Sequence, residues 1–342
     1  MKNRAEDSAY FWSVAAEFLN NYLPDVRRAS GNTVESYRNC LNRYVDYLEA
    51  EKGFKRKDIS FKMLDRENIK GYMAWMHKTA QLAPKTCNLR LTALRSLLEY
   101  ASQECTDITP VCISSDTIKG VRLTRAPIEF FEREAMSALM AAPDTRKKLE
   151  RRNQMLLVFL YDTAARVSEA LNVRLCDLHM DASIPHVTFF GKGRKYRNVP
   201  LMDSTMAHLR RYLREFHGHT YESTGAPLFY AVTHGEAHRL SIDTPEKMIK
   251  RYAEELSDTC LSMPGNVHCH MIRKTRAMHL YQESYPLPHI QQLLGHEALS
   301  TTSGFYAFAT LETLSKSLEK ANPSDMNKLW KGKEYSERLY RL

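Results

Sequence analysis

His186-Val187-Thr188-Phe189-Phe190-Gly191-Lys192-Gly193-Arg194-Lys195-Tyr196-Arg197-Asn198-Val199-Pro200-Leu201 sets two short β-branched and aromatic runs on either side of a basic, glycine-containing pentapeptide. Glycine permits a tight turn, so the stretch reads as a β-hairpin with a basic tip. Outside it, apolar residues recur at the three-and-four spacing of helices. Over 32–48 they fall at Val34, Tyr37, Leu41, Tyr44, Val45 and Leu48, and Asn32 with Glu35 has the spacing of a capping box, which predicts a helix start at Asn32. A second helix is expected after Pro84, with Leu89, Leu91, Leu94, Leu97 and Leu98 as its buried stripe. Further helical patterns cover 130–140 and 148–171, and they resume after the hairpin and continue to the C-terminus. The expected fold is mainly α with a small antiparallel β-sheet.

A chain of 342 residues is long for one domain, and two are expected. Residues 106–126 lose helical periodicity and contain Pro, Ser and Gly, which predicts a linker between a helical domain (8–105) and a second domain (127–342). A 43% hydrophobic content supports a core in each. With 49 Lys+Arg against 40 Asp+Glu, the formal charge of +9 fits a folded nucleic-acid binder, although many enzymes of other kinds are as basic. The seven cysteines form no CxxC pair, which argues against a disulfide framework and for a reducing, cytoplasmic setting. No apolar run has the length of a signal peptide core or a membrane span, so no membrane partner is expected.

Four segments hold residues suited to chemistry. Ala165-Arg166-Val167-Ser168-Glu169 reads as lying near the end of a helix, and Lys192 sits at the hairpin tip. His270 and Arg273, three apart, share one helical face. Leu294-Gly295-His296 is followed by Tyr306. Each has an ordinary structural reading when taken alone: Arg166 paired with Glu169, a solvated turn lysine, packed histidines, an aromatic core tyrosine. His268-Cys269-His270 with Cys260 fits no standard zinc spacing, so no metal site is expected. Lys147, Lys148, Arg151 and Arg152, and likewise Arg210, Arg211 and Arg214, read as solvated helix faces.

The ordered set is more specific than its members. Ala165-Arg166-Val167-Ser168-Glu169-Ala170-Leu171 with Leu175 and Asp177, the Gly191–Lys195 turn with Val199-Pro200-Leu201, His270 to Arg273 with Lys274, Thr275 and His279, and Leu293-Leu294-Gly295-His296 before Tyr306 together resemble the tyrosine recombinase (phage integrase) family over 127–320. Lys85-Thr86 and Leu91-Thr92-Ala93-Leu94-Arg95 resemble, more weakly, its helical core-binding domain. In most members the tyrosine follows the Gly-His histidine by nine positions. Here Phe305 holds that place, and Tyr306 stands at ten.

The resemblance implies a two-domain, C-shaped DNA clamp that cuts and rejoins DNA through a 3′-phosphotyrosyl link. It implies action on double-stranded recombination sites as a tetramer, through a Holliday junction, serving integration, excision or transposition of a mobile element, with an accessory recombinase or DNA-bending proteins as further partners. Arg166 and Arg273 would meet the phosphate, since guanidinium stays charged and offers paired donors. Lys192 would be the general acid, His270 the base or orienter, His296 a phosphate contact, Tyr306 the nucleophile and Glu169 a structural support. A phosphotyrosyl link conserves the phosphodiester's energy, so no cofactor is expected, and no GxxxxGK[ST] loop occurs. Thr33, Lys85, Thr86, Asn88, Arg90, Arg194, Lys195 and Lys274 are candidate DNA contacts. A tail at about 322–342, with Met326, Leu329, Trp330 and Tyr335, resembles the family's multimerisation element. The few residues before position 8 leave no evident arm-binding domain. Two alternatives stay open at this point: a type IB topoisomerase-like enzyme that relaxes DNA, and a catalytically silent DNA-binding protein of the same fold.

Overall fold

The computed structural model describes residues 4–123, 128–191, 196–218 and 225–295. By contacts the chain divides into Met1–Ala126 and Pro127–Leu342.

In the first unit, α1 (Ser8–Glu17) is capped by the Asp7 carboxylate, which accepts from the Ala9 and Tyr10 amides, and it runs on into a wider π-helical stretch, Phe18–Val26. Pro24 lies inside that stretch and has no amide proton to donate to a regular α-helical ladder. Helix α2 (Gly31–Lys52) starts slightly earlier than the Asn32/Glu35 spacing predicts. Its cap is Ser30, whose hydroxyl accepts from the Thr33 amide, and its end is the left-handed Gly53 (φ 70°). Helices α3 (Arg66–Lys78) and α4 (Pro84–Glu104) follow, capped by Asp65 and opened by Pro84 at the first turn. Tyr44, Leu48, Phe61, Tyr72, Leu94 and Leu97 form the shared core. Each such aliphatic or aromatic side chain contributes about 1.5–3 kcal/mol by leaving water. Leu89, expected in the stripe of α4, is instead exposed, because the stripe turns away from it by one residue.

The stretch 106–126 is not a plain linker. Thr106–Ile108 forms a 3₁₀ turn and α5 (Thr109–Asp116) follows, with Pro110 in its first turn and Ile108 fully buried. Proline reads as a breaker, yet it fits the first helical turn, where an amide lacks a partner in any case. Two side chains of α4 then fasten the outgoing chain. Arg95 donates to the carbonyls of Ser115, Asp116 and Ile118. The Asn88 amide grips Val121 from both sides, accepting from its N–H at 2.8 Å and donating to its carbonyl at 2.9 Å.

In the second unit, α6 (Arg133–Ala141) and α7 (Lys148–Thr163) are followed by α8 (Val167–Asn172). The helix read over 148–171 is therefore broken. Ala164 takes the left-handed conformation (φ 48°), an arrangement that costs a non-glycine residue about 1 kcal/mol or more. Thr163 Oγ1 accepts from the Ala165 amide and donates to the Phe159 carbonyl, which stabilises the break locally. Strands β1 (Leu178–His179), β2 (His186–Phe190) and β3 (Tyr196–Pro200) form an antiparallel sheet in that order, as the hairpin reading expects. Register pairs Val187 with Val199, Phe189 with Arg197 and Phe190 with Tyr196. Val187, Phe189 and Val199 are buried, so period-two alternation puts Arg197 on the same inward face.

Helix α9 (Asp203–Phe216) leads to a second hairpin, β4 (Tyr230–Thr233) and β5 (Glu236–Arg239), inside a region read as helical. Its turn is His234-Gly235, both at positive φ (52° and 84°), as a two-residue hairpin turn requires. Helices α10 (Asp243–Leu256), α11 (Cys269–Gln282) and α12 (Leu287–Leu294) complete the described chain. The main core centres on Leu157, Phe159, Phe189, Leu213, Phe229 and Ile272. No helix among the described residues is long and apolar enough to cross a membrane.

Candidate active site

The break between α7 and α8 creates the site's first half. Arg166 is the N-cap of α8, and Glu169, three residues on, accepts from the Arg166 amide at 3.0 Å and from its guanidinium. Glu169 is nearly buried, whereas the Arg166 side chain keeps 37% of its surface exposed. Burial alone would raise the Glu169 pKa. The Arg166 amide and the Arg197 and Arg166 guanidiniums outweigh it, and the carboxyl ends below its ordinary value.

Helix α11 supplies the second half. Arg273 donates through Nη1 to the Ala164 carbonyl at 2.7 Å and through Nη2 to the Leu294 carbonyl, and its Nη1 lies 3.8 Å from Glu169 Oε2. It is 3% exposed, and burial together with Arg166 and Arg197 pushes its pKa down. His270, in the first turn of α11, is exposed at the surface yet partly desolvated. That desolvation, and the positive charges of Arg273, Lys274, His268 and Arg166, lower its pKa to about 4. Its ring is therefore neutral at pH 7 and able to accept a proton.

Arg197 is the residue that motif reading missed. Its Nη2 donates to Glu169 Oε2 at 2.9 Å and its Nη1 to the Leu294 carbonyl at 3.3 Å, while the guanidinium lies 5.1 Å from the centre of the Phe189 ring. Three guanidiniums thus share one carboxylate. A signal was present in the sequence: alternation within β3 puts a charge at a core-facing position, and a buried charge needs a partner.

Neighbouring residues hold this arrangement. His279 is buried, with Nδ1 2.8 Å from the Tyr161 hydroxyl and Nε2 3.0 Å from the Phe131 carbonyl. The carbonyl can only accept, so Nε2 carries the proton and the tyrosine donates to Nδ1. Burial and Arg133 lower the His279 pKa to about 4. Thr275 accepts from the Phe131 amide at 2.9 Å. Glu246 caps α11 through the Cys269 amide, and burial with Glu246 raises the Cys269 thiol's pKa, away from the thiolate a metal would take.

Lys192, Arg194, Lys195, His296 and Tyr306, and the apolar tail at 322–342, lie outside the described residues, although the strands flanking the first three and the α12 end preceding His296 are described. In the first unit, Lys85 is exposed, and Thr86 and Arg90 line a groove with Asn32, Glu35, Asn39 and Arg43. Arg90 also donates to the Tyr72 hydroxyl at 3.2 Å. Thr33 belongs to the α2 cap, its hydroxyl 2.9 Å from Ser30 Oγ. Asn88 is occupied by Val121, so its amide serves the fold instead of facing a partner. Of the basic helix faces, Arg151 is paired with Glu215 and Arg152 is buried against the Tyr230 carbonyl, so neither is a free solvated charge.

The site is a cluster of guanidiniums around a buried carboxylate, with the His270 imidazole within reach of the charges of Arg273 and Arg166, the equipment of an enzyme that works on phosphate esters. Residues 129–312 match the Phage integrase family model, and residues 16–105 match the phage integrase N-terminal SAM-like domain. The chain belongs to the phage integrase family, the tyrosine recombinases. It is 31% identical to tyrosine recombinase XerC of Staphylococcus haemolyticus, over 91% of this chain and 97% of that one. It is 29% identical to the putative integrase/recombinase y4rC of Sinorhizobium fredii, over 90% of each. Among solved structures, XerH site-specific recombinase bound to palindromic difH substrate in a post-cleavage complex aligns over 92% of this chain and 83% of that one, with TM-score 0.67 and 22% identity. The Tn1549 transposon integrase in complex with transposon right end DNA aligns over 90% and 98%, with TM-score 0.65 and 16% identity. These likenesses agree with the mainly helical fold.

Proposed function

We propose that this protein is a site-specific recombinase that cleaves one strand at a time of a double-stranded recombination site and rejoins it to another. The observation that supports this most is the convergence of Arg166 and Arg273 on Glu169, from segments more than a hundred residues apart, with the His270 ring close enough to feel both guanidinium charges, in a chain of this family. In the reaction, the Tyr306 hydroxyl oxygen bonds to phosphorus and the bond to the 5′-oxygen breaks. The phenolic proton passes to His270, and Lys192 gives a proton to the departing 5′-oxygen. Arg166, Arg273 and His296 offset the charge that grows on the non-bridging oxygens. Attack by the 5′-hydroxyl of a second strand reverses the bond changes and releases the tyrosine. Four protomers on two sites would exchange strands in pairs, with Lys85, Thr86 and Arg90 of the first unit and Lys274, Arg194 and Lys195 of the second as DNA contacts.

A nicked site that traps the cleaved state tests this. The expected result is a covalent protein–DNA adduct that Tyr306→Phe abolishes. An adduct that survives Tyr306→Phe would overturn the nucleophile assignment, and relaxation of supercoiled plasmid without site preference would favour a topoisomerase-like activity instead.

A further inference from the structure

We propose that Arg197 is a positioning residue for DNA cleavage, acting by holding Arg166 and Arg273 in the geometry that receives the phosphate; this rests on those two arginines being the phosphate-binding pair.

Arg197 stands at a junction of the site's separate parts. Through Nη2 it reaches Glu169 Oε2 at 2.9 Å, the oxygen that also caps Arg166's amide. Through Nη1 it reaches the Leu294 carbonyl, which Arg273 also engages. It therefore shares one acceptor with each of the other arginines. Its planar group is braced against Phe189, its cross-strand partner, and its side chain is 10% exposed. The chain around it accommodates it closely. Gly295 is left-handed (φ 60°), and a Cβ there would come within 2.5 Å of Arg197 Nη1 and 3.1 Å of its Cδ. Glycine at this position thus meets a conformational need and a steric one together.

The consequence follows from the charges. Glu169 carries one negative charge among three guanidiniums. While Arg197 occupies Oε2, that oxygen is not free to close on Arg273 Nη1, 3.8 Å away, and Arg166 keeps the other oxygen, Oε1. Without Arg197, the buried carboxylate would draw Arg273 onto the freed Oε2 and turn about its contact with Arg166, and the Leu294 carbonyl would keep only Arg273. The arginines would stay in place but point less well at phosphate. Displacement of this kind slows chemistry without abolishing DNA binding.

The test measures the rate of adduct formation by the full chain on a nicked site with three chemistries at the scissile phosphate: the natural phosphodiester, a methylphosphonate lacking one non-bridging charge, and a phosphate with sulfur at the bridging 5′ position, whose departure needs no proton donor. Arg197→Met keeps the stem over Phe189 but removes the donors, and it should slow the natural substrate about 100-fold. Arg197→Lys, able to reach one acceptor but not both, should fall between. DNA affinity should change by no more than about threefold. On the methylphosphonate, where there is less charge for the arginines to meet, the Arg197→Met loss should shrink to about fivefold or less. An equal loss on both substrates, a rate within about threefold of the parent on the natural one, or recovery with bridging sulfur would each overturn the proposal, the last by placing the effect at the leaving group. Should Arg197→Met not fold, judged by its circular dichroism melt, Arg197→Lys carries the same comparison. Arg166→Ala and Arg273→Ala are run alongside. If methylphosphonate relieves these two but not Arg197→Met, the positioning role fails alone; if it relieves none of the three, the phosphate-arginine reading beneath it fails.

Discussion

Glu169 joins three guanidiniums from α8, β3 and α11, and the consequences at the scale of single residues start there. Glu169→Gln keeps the shape and removes the charge, leaving buried arginines without an anion. It should cost about 3–5 kcal/mol in urea unfolding of the second unit. Because the Glu169 pKa is depressed when folded, its contribution is present above the ordinary carboxyl range and is lost as pH falls through its lowered value. The histidines act at higher pH. His270 and His279 have folded pKa values lowered from 6.5 to about 4, so the unfolded chain binds their protons first as pH falls. Stability should therefore drop progressively between pH 6.5 and 4, with both rings titrating near 4 by NMR; rings titrating near 6.5 would contradict it. That Arg166, Glu169 and Arg273 share one site was legible in the sequence, because their order and spacing are specific. Arg197 was not, since the glycine-bracketed tip draws attention to its lysines, and the partners of Arg197 lie 28 and 97 residues away.

At the scale of elements, the hairpin and most helices followed from periodicity, while breaks and caps did not. Ala164-Ala165 looks helical, and the left-handed alanine is held by the Thr163 hydroxyl together with the Arg273 side chain, which arrives from 109 residues away. The β4–β5 hairpin lacks an Asn-Gly signal, and both of its strands are largely exposed, so no apolar alternation announced it. On α4, Asn88 and Lys85 lie close together in sequence but should respond oppositely. Asn88→Ala should lower the first unit's stability by about 1–3 kcal/mol through the lost Val121 clamp. Lys85→Ala should leave stability unchanged and reduce the slope of log affinity against log salt by about 1. Unfolding and salt-titrated gel shifts separate the two. Gly295→Ala should cost about 1–2 kcal/mol from its left-handed backbone and should also reproduce part of the Arg197 defect in adduct formation.

At the scale of the whole molecule, the second unit begins at Pro127, where the sequence reading put it, but the first does not end at 105. Thr106–Asp116 belongs to the first unit, because Ile108 fills its core and Arg95 ties down the end of α5. A fragment of residues 1–126 should therefore fold cooperatively on its own, whereas one ending at 105 should melt at lower temperature, having lost Ile108 and the partners of Arg95 and Asn88. Thermal melts of the two fragments check this.

The grip of Arg273 on the carbonyls of Ala164 and Leu294 also bears on how the enzyme comes into being. Both acceptors are distant in sequence, 109 and 21 residues away, and each closes a turn at the end of a different helix. Helices can form locally within microseconds, but a contact across 109 residues, such as that to Ala164, waits on closure of a long intervening chain. During refolding from urea, cleavage competence should thus trail the recovery of helical signal. A newly made chain would stay unable to cut DNA until its last long-range contacts are in place.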